Sequence, residues 1–178
     1  MLERDIFAGF GGQGVLLMGQ LLAQAALDEN RQVSWLPSYG PEMRGGTANC
    51  SVTISDQPIA SPIIDHPTSL IVMNRPSLDK FEDTLIPGGK LFINSSIIDR
   101  KAHRTDIDVY YVHCNEIAME LGSAKVANIV MLGAYIALTE CVDTESIISA
   151  LQHKLGEKKA SLIPLNRKAL AAGAAVVK

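Results

Sequence analysis

Residues 9–14 read GFGGQG, which sets Gly9, Gly11 and Gly14 in a G-x-G-x-x-G spacing. A glycine turn of this kind between a strand and a helix leaves main-chain N–H groups without helical partners. It also lies at the positive end of the helix dipole. A phosphate or carboxylate binds there without needing a cationic side chain. Glycine suits the position because a Cβ would hold a ligand away from the backbone. Two readings follow for Gly9, Gly11, Gly12, Gln13 and Gly14. One is an anion or cofactor contact. The other is a tight turn that packs helix on strand and holds nothing.

The dinucleotide version of this turn needs an acidic residue at the end of the second strand, about 20 residues on, to hold ribose hydroxyls. The second strand here runs into Trp35, Leu36, Pro37 and Ser38, with no carboxylate, and Glu42 lies well into the next loop. The paired Gly11–Gly12 followed by Gln13 also departs from the ordinary fingerprint. NAD and FAD are therefore disfavoured.

A second loop, SYGPEMRGG at 38–46, places Arg44 before Gly45 and Gly46. A guanidinium is a fork-shaped donor for carboxylate or phosphate. It would serve equally as a salt bridge to a partner chain, or as a solvated surface group. Phe10, Tyr39, Pro41 and Met43 give the two loops apolar tips, the pattern of a contact surface. No catalytic constellation accompanies them. His66, His103, His113 and His153 are scattered, and no serine sits in a nucleophile elbow.

The elements that must position these loops follow from periodicity. DIFAGF, 5–10, reads as a buried strand, 14–30 as a helix with Leu17, Leu21, Leu22 and Ala25 on one face, and 32–36 as a strand. Together they predict a βαβ unit with parallel strands. Residues 47–55 alternate as a half-buried strand, and 56–64 predict a turn and a short edge strand limited by Pro58 and Pro62. The apolar runs at 69–74, in 86–94 and at 108–114 predict further strands, with a helix over 76–85 opened by Pro76. The remainder predicts helices over 115–121, 125–140, 144–155 and 162–176. The fold class is α/β: one three-layer Rossmann-like domain over 1–178, with a mostly parallel sheet and a helical C-terminal third. Loops after the first and second strands then emerge together at the carboxyl edge, where open α/β sheets bind ligands.

Composition narrows the function. The chain has 178 residues, 47% hydrophobic and 20% charged, which suits one globular domain. A net charge of -3 and 5% aromatics argue against nucleic acid as a partner. Cys50, Cys114 and Cys141 are far apart, so neither an iron-sulfur nor a zinc site is expected. The odd cysteine count and the acidic, non-leader start fit a cytoplasmic location. The most apolar stretch, 126–139, is too short to span a membrane and reads as a core helix.

FAGFGGQGV at 7–15, SYGPEMRGGTANCSVTISD at 38–56, PGGKLFINSS at 87–96 and KVANIVMLGAYIA at 125–137 resemble the gamma subunit of the 2-oxoacid:ferredoxin oxidoreductases. The resemblance runs from residue 4 to the C-terminus. It implies a complex that oxidatively decarboxylates a 2-oxo acid, passes electrons to ferredoxin and forms an acyl-coenzyme A. It also implies that thiamine diphosphate, magnesium and iron-sulfur clusters sit on partner subunits: thiamine-binding alpha and beta, and a ferredoxin-like delta. This chain would be an accessory subunit, not catalytic alone, that contacts coenzyme A in the assembly. FGGQG looks more like the 2-oxoglutarate branch than the pyruvate branch, which often carries an arginine where Phe10 stands. The indolepyruvate enzymes have a related domain. The alternatives are a free-standing nucleotide- or coenzyme A-binding module without catalytic partners, or the gamma-type subunit of a pyruvate, branched-chain 2-oxoacid or indolepyruvate oxidoreductase.

Overall fold

The computed structural model describes residues 1–38 and 47–178. Six strands form one sheet in the order β2-β3-β1-β4-β5-β6: β1 (Leu2–Phe10), β2 (Gln32–Ser38), β3 (Thr47–Ser55), β4 (Ser69–Val72), β5 (Lys90–Asn94) and β6 (Asp108–Val112). The helices are α1 (Val15–Asp28), α2 (Arg75–Phe81), α3 (Cys114–Glu120), α4 (Ala127–Thr139), α5 (Thr144–Leu155) and α6 (Ile163–Val177). Side chains alternate across the pleat, so β1 feeds both faces. Phe7 joins Ile71 and Phe92 in a core covered by α1, α3, α4, α5 and α6. Ile6 and Ala8 join Leu70, Val72, Leu91 and Leu78 of α2 on the opposite face.

The expected α/β class and mostly parallel sheet are present, with one correction to strand pairing. β3 lies between β1 and β2 and pairs antiparallel with both. The first two strands point the same way but are not neighbours. β3 runs antiparallel beside β2 and occupies the place next to β1 that a simple βαβ unit would give to β2. As an edge strand, β2 tolerates Pro37 opposite Cys50.

Residues 56–64 are a second correction. They form bends and irregular backbone, with no strand, because Pro58 and Pro62 remove main-chain donors. The 76–85 helix stops at Phe81 and tightens into a 3-10 turn over Glu82–Thr84. Buried Glu82 lies there, accepting from Arg100 Nη2 at 2.8 Å and from the His103 main-chain N–H at 2.7 Å. The α1 face is Met18, Leu21, Leu22 and Ala25, all buried, while Leu17 is half-buried. Asn30 ends it in the left-handed region, at φ 62.

The most apolar helix, α4, is buried at every residue from Ala127 to Ile136. It crosses α6 with backbones in contact. A Cβ on Gly133 would lie 2.7 Å from Leu170 Cα, and one on Gly173 would lie 2.8 Å from the Val130 carbonyl carbon. Among the described residues no helix is long and apolar enough to cross a membrane.

Candidate functional site

β1 ends at Phe10 and α1 begins at Val15, so Gly11, Gly12, Gln13 and Gly14 form the connecting turn. Gly12 and Gly14 adopt φ 91 and φ 76, values that a side chain would resist. Gln13 closes the turn. Its main-chain N–H donates to Phe10 O at 3.2 Å, and its Oε1 accepts from Phe10 N–H at 2.6 Å. Its Nε2 donates to Met73 O at 2.9 Å, just past the end of β4. One side chain thus ties the end of β1 to the end of β4.

Gly9 makes room for this tie. A Cβ there would sit 2.7 Å from Gln13 Oε1 and 3.0 Å from Met73 Cβ. Gly14 makes room for Asn128, whose amide would collide with a Cβ and whose Nδ2 donates to Gly14 O at 3.3 Å. The glycine spacing is therefore accounted for in part by close packing, with Gly12 left facing open space.

The chain leaves β1 through α1 toward β2 on one side, and β4 lies on β1's other side. The crevice outside the carboxyl ends of β1 and β4 is thus the topological switch point, the usual ligand position in open α/β sheets. A pocket of about 150 Å³ opens there, lined by Gly12, Gln13, Met73, Asn115, Ala124, Lys125, Ala127 and Asn128. A larger groove of about 780 Å³ between α1, β2 and α5 shares no residue with the turn.

The second predicted loop falls mostly outside the described residues. Tyr39, Pro41, Met43, Arg44, Gly45 and Gly46 all lie there. Its flanks are defined: Thr47 stands opposite Phe10, and Ser38 opposite Asn49. Both flanks lie at the same sheet edge as the glycine turn. Phe10, 38% exposed, presents an aromatic face at that edge.

Six pocket residues were not singled out in the sequence: Met73, Asn115, Ala124, Lys125, Ala127 and Asn128. Lys125 and Asn128 stand three apart in KVANIVMLGAYIA, a spacing that puts them on one helical face. The surrounding apolar run made that segment read as core.

The cysteines do not suit a cluster. Cys50 lies on β3, Cys114 opens α3, Cys141 follows α4, and all three are buried and free. Burial pushes the thiols of Cys50 and Cys141 up to about 12, and that of Cys114 upward as well. Iron-sulfur ligation needs converging thiolates, and these protonated, dispersed groups do not fit it. Among the described residues no group of three or more His, Cys, Asp or Glu could hold a metal ion.

Residues 4–176 match the family described as Pyruvate ferredoxin/flavodoxin oxidoreductase. The chain belongs to that family. It is 44% identical over 168 residues to the ketoisovalerate oxidoreductase subunit VorA of Methanothermobacter thermautotrophicus, covering 94% of this chain and 35% of that one. The chain thus spans about a third of that relative's length. It is 38% identical over 147 residues to the 2-oxoglutarate synthase subunit KorC of Methanocaldococcus jannaschii, covering 81% of this chain and 79% of that one. The structure of the keto/oxoacid ferredoxin oxidoreductase gamma subunit from Geobacter sulfurreducens superposes with a TM-score of 0.83 at 32% identity, over 98% of both chains. The resemblance and the fold class expected from the residues hold at this level.

Proposed function

We propose that this chain is the gamma-type subunit of a 2-oxoacid:ferredoxin oxidoreductase. Its carboxyl sheet edge forms one wall of an active site shared with thiamine diphosphate-bearing partner subunits. The observation that carries the reading is the end-to-end likeness to the Geobacter gamma subunit. In the assembly a 2-oxo acid is oxidatively decarboxylated, its acyl group passes to coenzyme A and its electrons pass to ferredoxin. Thiamine diphosphate, magnesium and the iron-sulfur clusters belong to the partners, consistent with protonated, dispersed cysteines here. The glycine turn and the 38–46 loop face the partners, and Gly9, Gly11–Gly14 and Arg44–Gly46 contribute backbone and guanidinium donors toward coenzyme A.

For the substrate we favour 2-oxoglutarate, on the FGGQG form of the turn and on KorC, a relative of comparable length. A branched-chain 2-oxo acid is the second reading, favoured by the higher identity to VorA.

Affinity purification of the tagged chain from its own cells tests both. We expect thiamine-binding chains to co-purify, with ferredoxin reduction that depends on 2-oxoglutarate and coenzyme A. Faster turnover of 2-oxoisovalerate would transfer the assignment to the branched-chain enzyme. A chain that purifies alone and binds a nucleotide would instead support a free-standing module.

A further inference from the structure

We propose that the basic turn between α5 and α6 docks an acidic face of another subunit of the assembly, with Lys154, Lys158, Lys159 and Lys168 as its charged rim. The proposal rests on the reading of this chain as one subunit of a complex. The turn shares no residue with the pocket beside Gly12 and Gln13.

Charge is the first argument. The chain has 16 Lys and Arg against 19 Asp and Glu. Residues 153–178 hold six of the cations, Lys154, Lys158, Lys159, Arg167, Lys168 and Lys178, but only one of the acids, Glu157. Residues 1–152 are left with ten cations against eighteen acids. An acidic chain thus carries one concentrated basic segment. Arg167 is answered by Glu145, and Lys178 lies at the far end of α6. The other four lysines are exposed and, among the described residues, enter no ion pair. Lys154 donates to the neutral Gln20 Oε1 at 3.0 Å.

Shape is the second. Gly156, at φ 69, ends α5, and Pro164 lies in the first turn of α6. Between them the 3-10 turn Glu157–Leu162 has no buried residue. It is fixed all the same. The Lys159 main-chain N–H donates to Gly156 O at 3.3 Å, and Nδ2 of buried Asn166 donates to Leu162 O at 2.8 Å. Leu162 is left 42% exposed. Beside the turn a cleft of about 460 Å³ is lined by Gln152, Gly156, Glu157, Ala160, Ile163 and Pro164. Lys168 stands one helical turn beyond Pro164, on the same side of α6. An apolar patch edged by cations is the anatomy of a protein interface, with apolar contact at the centre and charge at the rim.

Complementarity decides the partner. Four unanswered ammonium groups match carboxylates, and strongly hydrated lysines suit rim pairs that steer and orient an encounter. A nucleic acid fits less well, because an extended polyanion would run from this turn onto the acidic remainder of the chain. A compact acidic face meets the turn alone, and an apolar side chain from it enters the cleft.

The test uses the chain purified from its own cells with its partner subunits. A carbodiimide, which joins amines to carboxylates in direct contact, should link Lys158, Lys159 or Lys168 to Asp or Glu of a partner subunit, as read by mass spectrometry. Lys158→Glu with Lys159→Glu should weaken association by about ten-fold or more at low salt, with the difference shrinking as salt rises. Lys158→Arg with Lys159→Arg should keep wild-type affinity. Both lysines are exposed on a turn that buries nothing, so neither double variant threatens the fold. An intact assembly in which these lysines are acetylated as fast as in the isolated chain would overturn the proposal and leave the complex standing. Links to a second copy of this chain, or binding of a single-stranded oligonucleotide that the charge reversal abolishes, would overturn it too. A chain that purifies alone would overturn both the proposal and the reading beneath it.

Discussion

Asp5, in the middle of β1, has no exposed surface. Its Oδ2 accepts from Tyr135 Oη at 2.8 Å, while Oδ1, among the described residues, has no partner. Tyr135 is equally buried, edge-on to Phe7 and Phe92. Burial pushes the Asp5 carboxyl well above its ordinary range, and the charge of Glu3 adds to the rise, while the Tyr135 hydrogen bond pulls partly back. In the unfolded chain the same group ionises near pH ~4. Above that pH the native state keeps a proton that the unfolded state has released. Asp5's contribution is therefore complete below the unfolded value and is lost as pH rises through the raised native value. The slope over that window is about 1.4 kcal/mol per pH unit. Asp5→Asn keeps an acceptor for Tyr135 and cannot ionise. Urea unfolding of both proteins at several pH values from 4.5 to 8 reads the difference, in which all other titrating groups cancel. We expect the variant to gain on the wild type by about 1.4 kcal/mol for each pH unit until the native value is passed. A constant offset caused by the new amide would not alter that slope. Parallel stability curves over the whole range would refute the reasoning, because Asp5 would then be ionised or solvated in the folded chain.

Two further outcomes follow from the packing. Gln13→Ala leaves Met73 O, at a residue 1% exposed, without its donor. It should cost about 1–3 kcal/mol and speed hydrogen exchange at the Phe10 amide, and unchanged exchange there would show that the tie is not formed in solution. Gly173→Ala puts a methyl 2.8 Å from the Val130 carbonyl carbon and 3.0 Å from Ala134 N, so α4 and α6 must part. The urea midpoint should fall by the equivalent of at least about 1–3 kcal/mol, and a wild-type midpoint would mean that the helices do not meet there.

Local patterns were legible in the sequence wherever one segment decided its own state. Helix α5 runs from Thr144 to Leu155, the range its periodicity predicts. Asn30 stops α1 because its short polar side chain tolerates the left-handed region. The position of β3 was not legible. Its alternation, with Ala48, Cys50, Val52 and Ile54 turned to the core, states that it is a strand but not which neighbours it takes. Register and order depend on partners distant in sequence. The pocket was hidden for the same reason, since Gly12, Met73, Asn115 and Lys125 come from four separate segments that only the carboxyl edge of the sheet brings together.

That placement of β3 also bears on what the glycine turn can do. A dinucleotide lies across the carboxyl ends of β1 and the parallel strand beside it, and the acidic residue that holds the ribose stands at the end of that neighbour. Here the neighbour on one side is β3, which runs the other way and begins, not ends, at this edge, with Thr47 opposite Phe10. No strand end is available beside β1 on that side to carry the acid, whatever residue the sequence might place there. On the other side β4 is parallel, but Gln13 already spans the gap to Met73 O. The free space is displaced toward the start of α4, where Asn115, Lys125 and Asn128 line it. A fingerprint read along one segment thus fixes the backbone of the turn, while the strands beside it decide which ligand that backbone can meet.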